Sequence, residues 1–306
     1  MTFDAVQILL ATITAGVSIA YPALGGTLTE LSGVYNIGLE GIMLISAATS
    51  FIAALFTGNV FIGLSVGLLT GGLIGAIQAL FAVNFRADQV VFGLGIIILG
   101  PFLSTFLAST ALQSGLRQAP ILESLNTSGF PYPFNLILSQ NALVYSLIPL
   151  VIVLWYVLYK TKLGLAIRSV GENPHVAASS GLNVTLLRYT CSILGCAIAA
   201  MGGTFVVLGL SGLWADNVTG GRGFIAIAMI RVGLFKPIWV AIVCILFGLV
   251  DSLQLYFSAI LGPSFPYQFL GMAPYALGIV VLSVSMVRRT FAEPASLGKP
   301  YSREGR

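Results

Sequence analysis

Residues 41–85 read GIMLISAATSFIAALFTGNVFIGLSVGLLTGGLIGAIQALFAVNF, with no Asp, Glu, Lys or Arg among them. A helix that crosses the roughly 30 Å hydrocarbon core of a bilayer needs about 20 apolar residues. This one run is therefore long enough for two, which the sequence places at 38–57 and 60–83. Within it Gly63, Gly67, Gly71 and Gly75, followed by Ala79, recur every four residues on one helical face. Small residues at that spacing let two membrane helices approach closely and gain van der Waals contact. This is a helix-packing device, and no transport role follows from it.

The remainder of the chain repeats the pattern. Residues 5–29, 89–116, 124–159, 189–215 and 252–287 are also free of charge. Across all 306 residues, 57% are hydrophobic and 8% charged, with a mean hydropathy of +0.99. Soluble domains carry about 25% charge, which excludes a soluble fold. No ten-residue alternation marks a membrane barrel, and lipid offers backbone groups no partner outside a helix or a closed barrel. The fold class expected is an all-α polytopic membrane protein of about 8–10 transmembrane helices, some short or broken. Spans fall near 5–27, 38–57, 60–83, 90–110, 142–159, 188–210, 222–235, 237–260 and 268–287. The N-terminus lacks the basic region of a cleavable signal, so the first run is expected to be retained. Gly195, Ala199 and Gly203 repeat the small-residue device in a later span.

Charge asymmetry orients the bundle. With 160–188 and the tail in the cytoplasm, the chain must cross an even number of times between them. The short run 222–235 then has to supply the fourth crossing. All of the 14 Lys and Arg except Arg117 and Arg222 fall inside on that reading. Residues 1–290 form one transmembrane domain, with a cytoplasmic loop at 160–187, an extracytoplasmic loop at 111–140 and a cytoplasmic C-terminal tail at 291–306.

Enzymatic chemistry is poorly represented. The only Gly-Lys pair, Gly298-Lys299, lacks the glycine that a P-loop requires and is followed by Pro300. His175 is the one histidine and no metal site is expected; Cys191, Cys196 and Cys244 lie in apolar runs and read as small buried hydrophobes. Ionisable residues at membrane depth are costly and mark candidate sites. Asp88 reads as a local pair with Arg86. Asp251 has Gln254 on the same helical face. Glu40 follows Asn36 and Gly38 in a glycine-broken segment, and broken helices at membrane depth commonly line a substrate path. Asn36, Glu40, Asp251 and Gln254 are the candidate path residues, although Glu40 could equally satisfy backbone N–H groups that the break sets free.

The polar island KTKLGLAIRSVGENPHVAASSGLNV, Lys160–Val184, interrupts the hydrocarbon. Asn173 is a good N-cap, Pro174 suits the first helical position and Gly181 can end the helix. The result is a helix of about two turns near 174–180, too short to be stable alone and small enough in its side chains to seat in a cleft.

These residues carry a resemblance. Gly164-Leu165-Ala166-Ile167-Arg168-Ser169-Val170-Gly171-Glu172-Asn173-Pro174, with Ala177-Ala178 and Gly181, resembles the ATPase-coupling loop of binding-protein-dependent ABC import permeases. Two further blocks, Ser32–Gly41 and Gly221–Ala228 with Pro237, are similar to the branched-chain amino acid and ribose permease family in its nucleoside and simple-sugar subgroup. The chain departs from that pattern at Glu30-Leu31-Ser32, which lacks a basic residue, and at Gly233–Pro237. The resemblance implies a permease, not an enzyme, in a bacterial-type cytoplasmic membrane. It would pair with a second permease subunit, two cytoplasmic ATPases that hold ATP and Mg, and an extracytoplasmic substrate-binding protein. The chain itself would need no cofactor and no nucleic acid. The cargo would be a nucleoside, a simple sugar or a riboflavin-like vitamin. Arg168, Gly171, Glu172, Asn173, Pro174, Ala177, Ala178 and Gly181 would carry the coupling. The alternative is a secondary transporter or channel using Glu40 or Asp251 for ion coupling.

Overall fold

A computed structural model describes residues 5–124, 139–261 and 293–302, with single residues at 272, 276, 280 and 283. The span expected at 268–287 and most of the loop expected at 111–140 lie outside the described residues. Ten helices follow one another: α1 (Ala5–Leu31), α2 (Leu39–Thr57), α3 (Val60–Ala79), α4 (Gln89–Leu112), α5 (Ala142–Lys160), α6 (Lys162–Glu172), α7 (Pro174–Ser179), α8 (Val184–Thr204), α9 (Arg222–Val232) and α10 (Pro237–Leu261). Two of them run on as π-helix, α3 through Leu80–Asn84 and α8 through Phe205–Ser211. Among the described residues seven helices are long and apolar enough to cross a membrane, and no strand forms beyond isolated bridges.

Helix α8 is the hub, packing against α1, α2 and α3. The glycine face of α3 lies on it. A Cβ at Gly71 would overlap Ala200 and the Cys196 carbonyl, and one at Gly75 would overlap the Ser192 carbonyl. Gly67 meets Thr204, while Gly63 meets Leu208 and Ala54 of α2. A second face of α8 turns its own small residues toward α1, where Gly25 meets Gly195 and Ala199. Gly203 seats against the Met43 backbone of α2. Helices α1 and α10 cross at Gly16 and Gly248, and a 2.8 Å hydrogen bond joins the hydroxyls of Thr12 and Ser252. Large apolar side chains on α3, α4 and α5, such as Leu69, Phe102 and Ile148, face outward, as lipid contact requires.

The short seventh run expected at 222–235 is helical from Arg222 to Val232 and closes with Leu234 and Phe235 at positive φ. Helix α9 has 11 residues, about 16 Å at 1.5 Å per residue and so about half the hydrocarbon core. The chain leading into it is irregular, with Asn217, Gly220 and Gly221 at positive φ. Asp88 also differs from its expected ion pair with Arg86. Its Oδ1 caps α4 by accepting from the Val90 and Val91 N–H groups (2.8 and 3.2 Å).

Candidate translocation and coupling sites

The segment between α1 and α2 enters the bundle instead of turning on its surface. Gly33 lies beside Arg188, near the start of α8, and the Asn36 amide donates to Cys196 Sγ (3.3 Å). Arg188 and Cys196 lie about two turns apart on one helix, so the segment runs alongside α8. A chain of side chains holds it there. The Cys196 thiol donates to Gln78 Oε1 (3.3 Å), Gln78 Nε2 donates to the Tyr35 carbonyl (3.1 Å), and the Tyr35 N–H donates to Gln89 Oε1 (2.6 Å). Buried backbone polar groups require such partners. The Cys196 thiol thus bonds on both sides, beyond the purely apolar packing expected of it.

Just beyond this segment α2 and α9 begin against each other. Glu40, 2% exposed, accepts through Oε1 from the Thr219 hydroxyl (2.5 Å) and the Gly221 N–H (3.1 Å). Its Oε2 accepts from the Gly223 N–H (2.6 Å). A Cβ at Gly223 would overlap the Glu40 backbone, so glycine permits the approach. First-turn N–H groups have no partner within their own helix. Here α9 receives its cap from a residue of another helix, and the negative group sits where the helix dipole favours it. Asn36 and Glu40 therefore belong to one buried inner framework. Asp251 and Gln254 are half-buried on α10. Asp251 lies within the electrostatic reach of Arg222, at the start of α9. Arg222, expected on the outside, is half-buried at that helix start, where it donates to the Thr219 carbonyl (3.0 Å).

The island folds as two helices, only the second of which was expected. Thr161 caps α6 at the Gly164 N–H (3.2 Å), and Gly164, Ile167, Val170 and Gly171 form its buried face. Spacings of three and four residues could have revealed that face in the sequence. Asn173 Oδ1 caps α7 at the His175 and Val176 N–H groups (3.1 and 3.2 Å), Pro174 is first in the helix and Gly181 follows at φ +86°. Val176 is 60% exposed and stands outward with His175, Ser179 and Ser180, whereas Ala177 is 3% exposed and packs with Val170 and Val184. Gly171 and Pro174 are buried, Ala178 is half-buried, and Glu172, Asn173 and Gly181 are exposed. The Arg168 guanidinium stacks 4.8 Å above the Tyr159 ring. Beside these helices opens a cleft of about 780 Å³, reaching from Arg168 and Val176 to Phe235 and Lys236.

The sequence profile of the branched-chain amino acid transport system permease component matches residues 8–287. The chain belongs to this permease family. The permease is 34% identical to the nucleoside ABC transporter permease of Lactococcus lactis, over 86% of this chain and 87% of the relative. It is 32% identical to the guanosine ABC transporter permease of Bacillus subtilis, over 97% of this chain and 98% of the relative. A protein of Haloferax volcanii, provisionally described as a glucose ABC transporter permease, is 31% identical over 99% of each chain. No solved structure matches. The permease is thus a multi-pass membrane transport protein of the ABC class, not an enzyme, and its family works with ATPase and substrate-binding components.

Proposed function

We propose that this permease is one of two membrane subunits, alike or paralogous, of an ATP-driven importer for a nucleoside or a simple sugar. A binding protein delivers the solute from outside. Two cytoplasmic ATPases, holding ATP and Mg, engage α7 and the cleft beside it, and the C-terminal tail lies on their side of the membrane. The observation that carries this reading is α7 itself: a capped helix of under two turns, held from below through Ala177 and exposed above through Val176 and His175. The relatives named for nucleosides and for glucose support a small polar cargo, and a riboflavin-like vitamin is the less favoured one. Re-entrant segment 33–38 and half-helix α9 support a path through the bundle, because irregular backbone at membrane depth is tolerated only inside protein or along a water-filled cavity.

Uptake into proteoliposomes containing the reconstituted complex tests the reading. Radiolabelled uridine, guanosine and glucose are supplied with the binding protein outside, and ATP is sealed within. At least one of them is expected to accumulate only with ATP on the island's side and to ignore ionophores. Uptake that collapses with an ion gradient and needs no nucleotide would instead establish the secondary carrier.

A further inference from the structure

Residues 293–302 return to the island and touch α6, α7, α8, α9 and the segment between α1 and α2. The Ser296 N–H donates to the Gly171 carbonyl (2.9 Å), and its hydroxyl bonds the Gly171 and Val170 carbonyls. The Ala295 N–H reaches Glu172 Oε2 (3.3 Å), and the Gly298 N–H reaches the carbonyl of Gly33 on the re-entrant segment (3.2 Å). Arg188 of α8, 0% exposed, donates to the Lys299 carbonyl (3.3 Å). The Tyr301 ring lies 5.1 Å from that of His175 on α7. Finally, Glu293 pairs with Arg231 at the inner end of α9 (2.8 Å), and Arg231 also donates to the Tyr35 hydroxyl (3.0 Å).

A second carboxyl competes for that arginine. Glu30, near the end of α1, is wholly buried, and neither of its side-chain oxygens has a hydrogen-bond partner. Helices α1 and α9 pack together, with Gly26 of α1 against Ile230 next to Arg231, and the charges near enough to act on the buried Glu30 carboxyl are Arg231 and Glu293. The pair Arg231 makes with Glu293 is half open to water on the glutamate's side and therefore weak. An unbonded buried carboxyl has much more to gain from a guanidinium. One arginine thus stands between a weak partner that it holds and a needier partner that it does not.

We propose that the tail is a strap coupling α6 and α7 to α9, and that Arg231 is its two-position charge. Arg231 holds Glu293 while the strap is seated and passes to Glu30 when α9 shifts to open the inner mouth. Arg231 and Glu30 are positioning residues in this scheme. The inference rests on the proposed entry of ATPase force at α7.

The test uses the assembled complex carrying Leu182→Cys and Tyr301→Cys, which pack against the same cluster of Val170, Ala177 and Val184, with the non-hydrolysable analogue AMP-PNP as nucleotide probe. A short, reducible bis-methanethiosulfonate reagent is expected to crosslink the strap efficiently without nucleotide and several-fold less with AMP-PNP. The crosslinked complex should lose uptake, and reduction should restore it. In the otherwise native chain, Glu30→Gln should lower the maximal uptake rate about tenfold, the factor for about 1.4 kcal/mol, with KM unchanged. A purely structural defect would instead reduce the amount of assembled complex. Equal crosslinking with and without AMP-PNP, or full uptake by the crosslinked complex, overturns the strap. Unaltered uptake by Glu30→Gln overturns the exchange. If the double-cysteine complex crosslinks as expected but the wild-type complex takes up neither nucleoside nor sugar, the cargo reading fails and the strap stands. A permease that binds no ATPase removes both.

Discussion

Replacing Glu40 with alanine tests whether the start of α9 depends on a residue of α2. The substitution removes the acceptor for the Gly221 and Gly223 N–H groups and for the Thr219 hydroxyl. The hydroxyl can rotate toward another acceptor, but the two backbone donors are fixed. At about 1–3 kcal/mol for each unsatisfied buried donor, the loss is about 2–6 kcal/mol. Even the low end lowers the Tm of the detergent-solubilised permease by roughly 4–8 °C, at 2–4 °C per kcal/mol for large domains. Glu40→Gln keeps one acceptor oxygen and should fall between wild type and alanine. Differential scanning fluorimetry on purified protein measures the order. A Tm for Glu40→Ala within about 1 °C of wild type, or a lower one for glutamine than for alanine, would refute the capping argument.

Other expectations follow from the same geometry. Gly71→Leu drives a side chain into the Cys196 backbone at the contact of α3 with α8. Its cost should exceed the usual 1–3 kcal/mol of core overpacking, and the monodisperse peak in size-exclusion chromatography should be lost. On α7, Val176→Asp should leave Tm nearly unchanged, as surface changes within about 0.5 kcal/mol do, while weakening pull-down of the ATPase. Ala177→Leu should instead cost about 1–3 kcal/mol by overpacking, because Ala177 packs inward. Cys191, Cys196 and Cys244 are all buried, so maleimide should label none of them in intact membranes and all three after denaturation.

Much of this architecture was legible in local patterns. Charge-free runs located the long helices to within a few residues, since a span's length is set by bilayer thickness and its composition by lipid. Asn173, Pro174 and Gly181 placed α7 because capping chemistry acts over three or four residues. The Gly63–Gly75 repeat announced a close helix contact but not its partner. Two features escaped. Helix α6 was not expected, although its buried spacing was present in the sequence. The seventh span was counted as a crossing, but its helix of 11 residues covers only about half the hydrocarbon core.

What the sequence determined by itself is the membrane class, the order of spans and the capped helix on the island. Each depends on neighbours within a few turns, where periodicity and composition act directly. The tertiary structure alone decided that Glu40 caps a helix starting about 180 residues later, that Cys196 supports the re-entrant segment, and that Arg231 stands between Glu30 and Glu293. Such pairings connect residues whose separation carries no period. They arise only when small-residue faces pack α8 against α1, α2 and α3 and bring buried polar groups within reach of partners they could not have found locally.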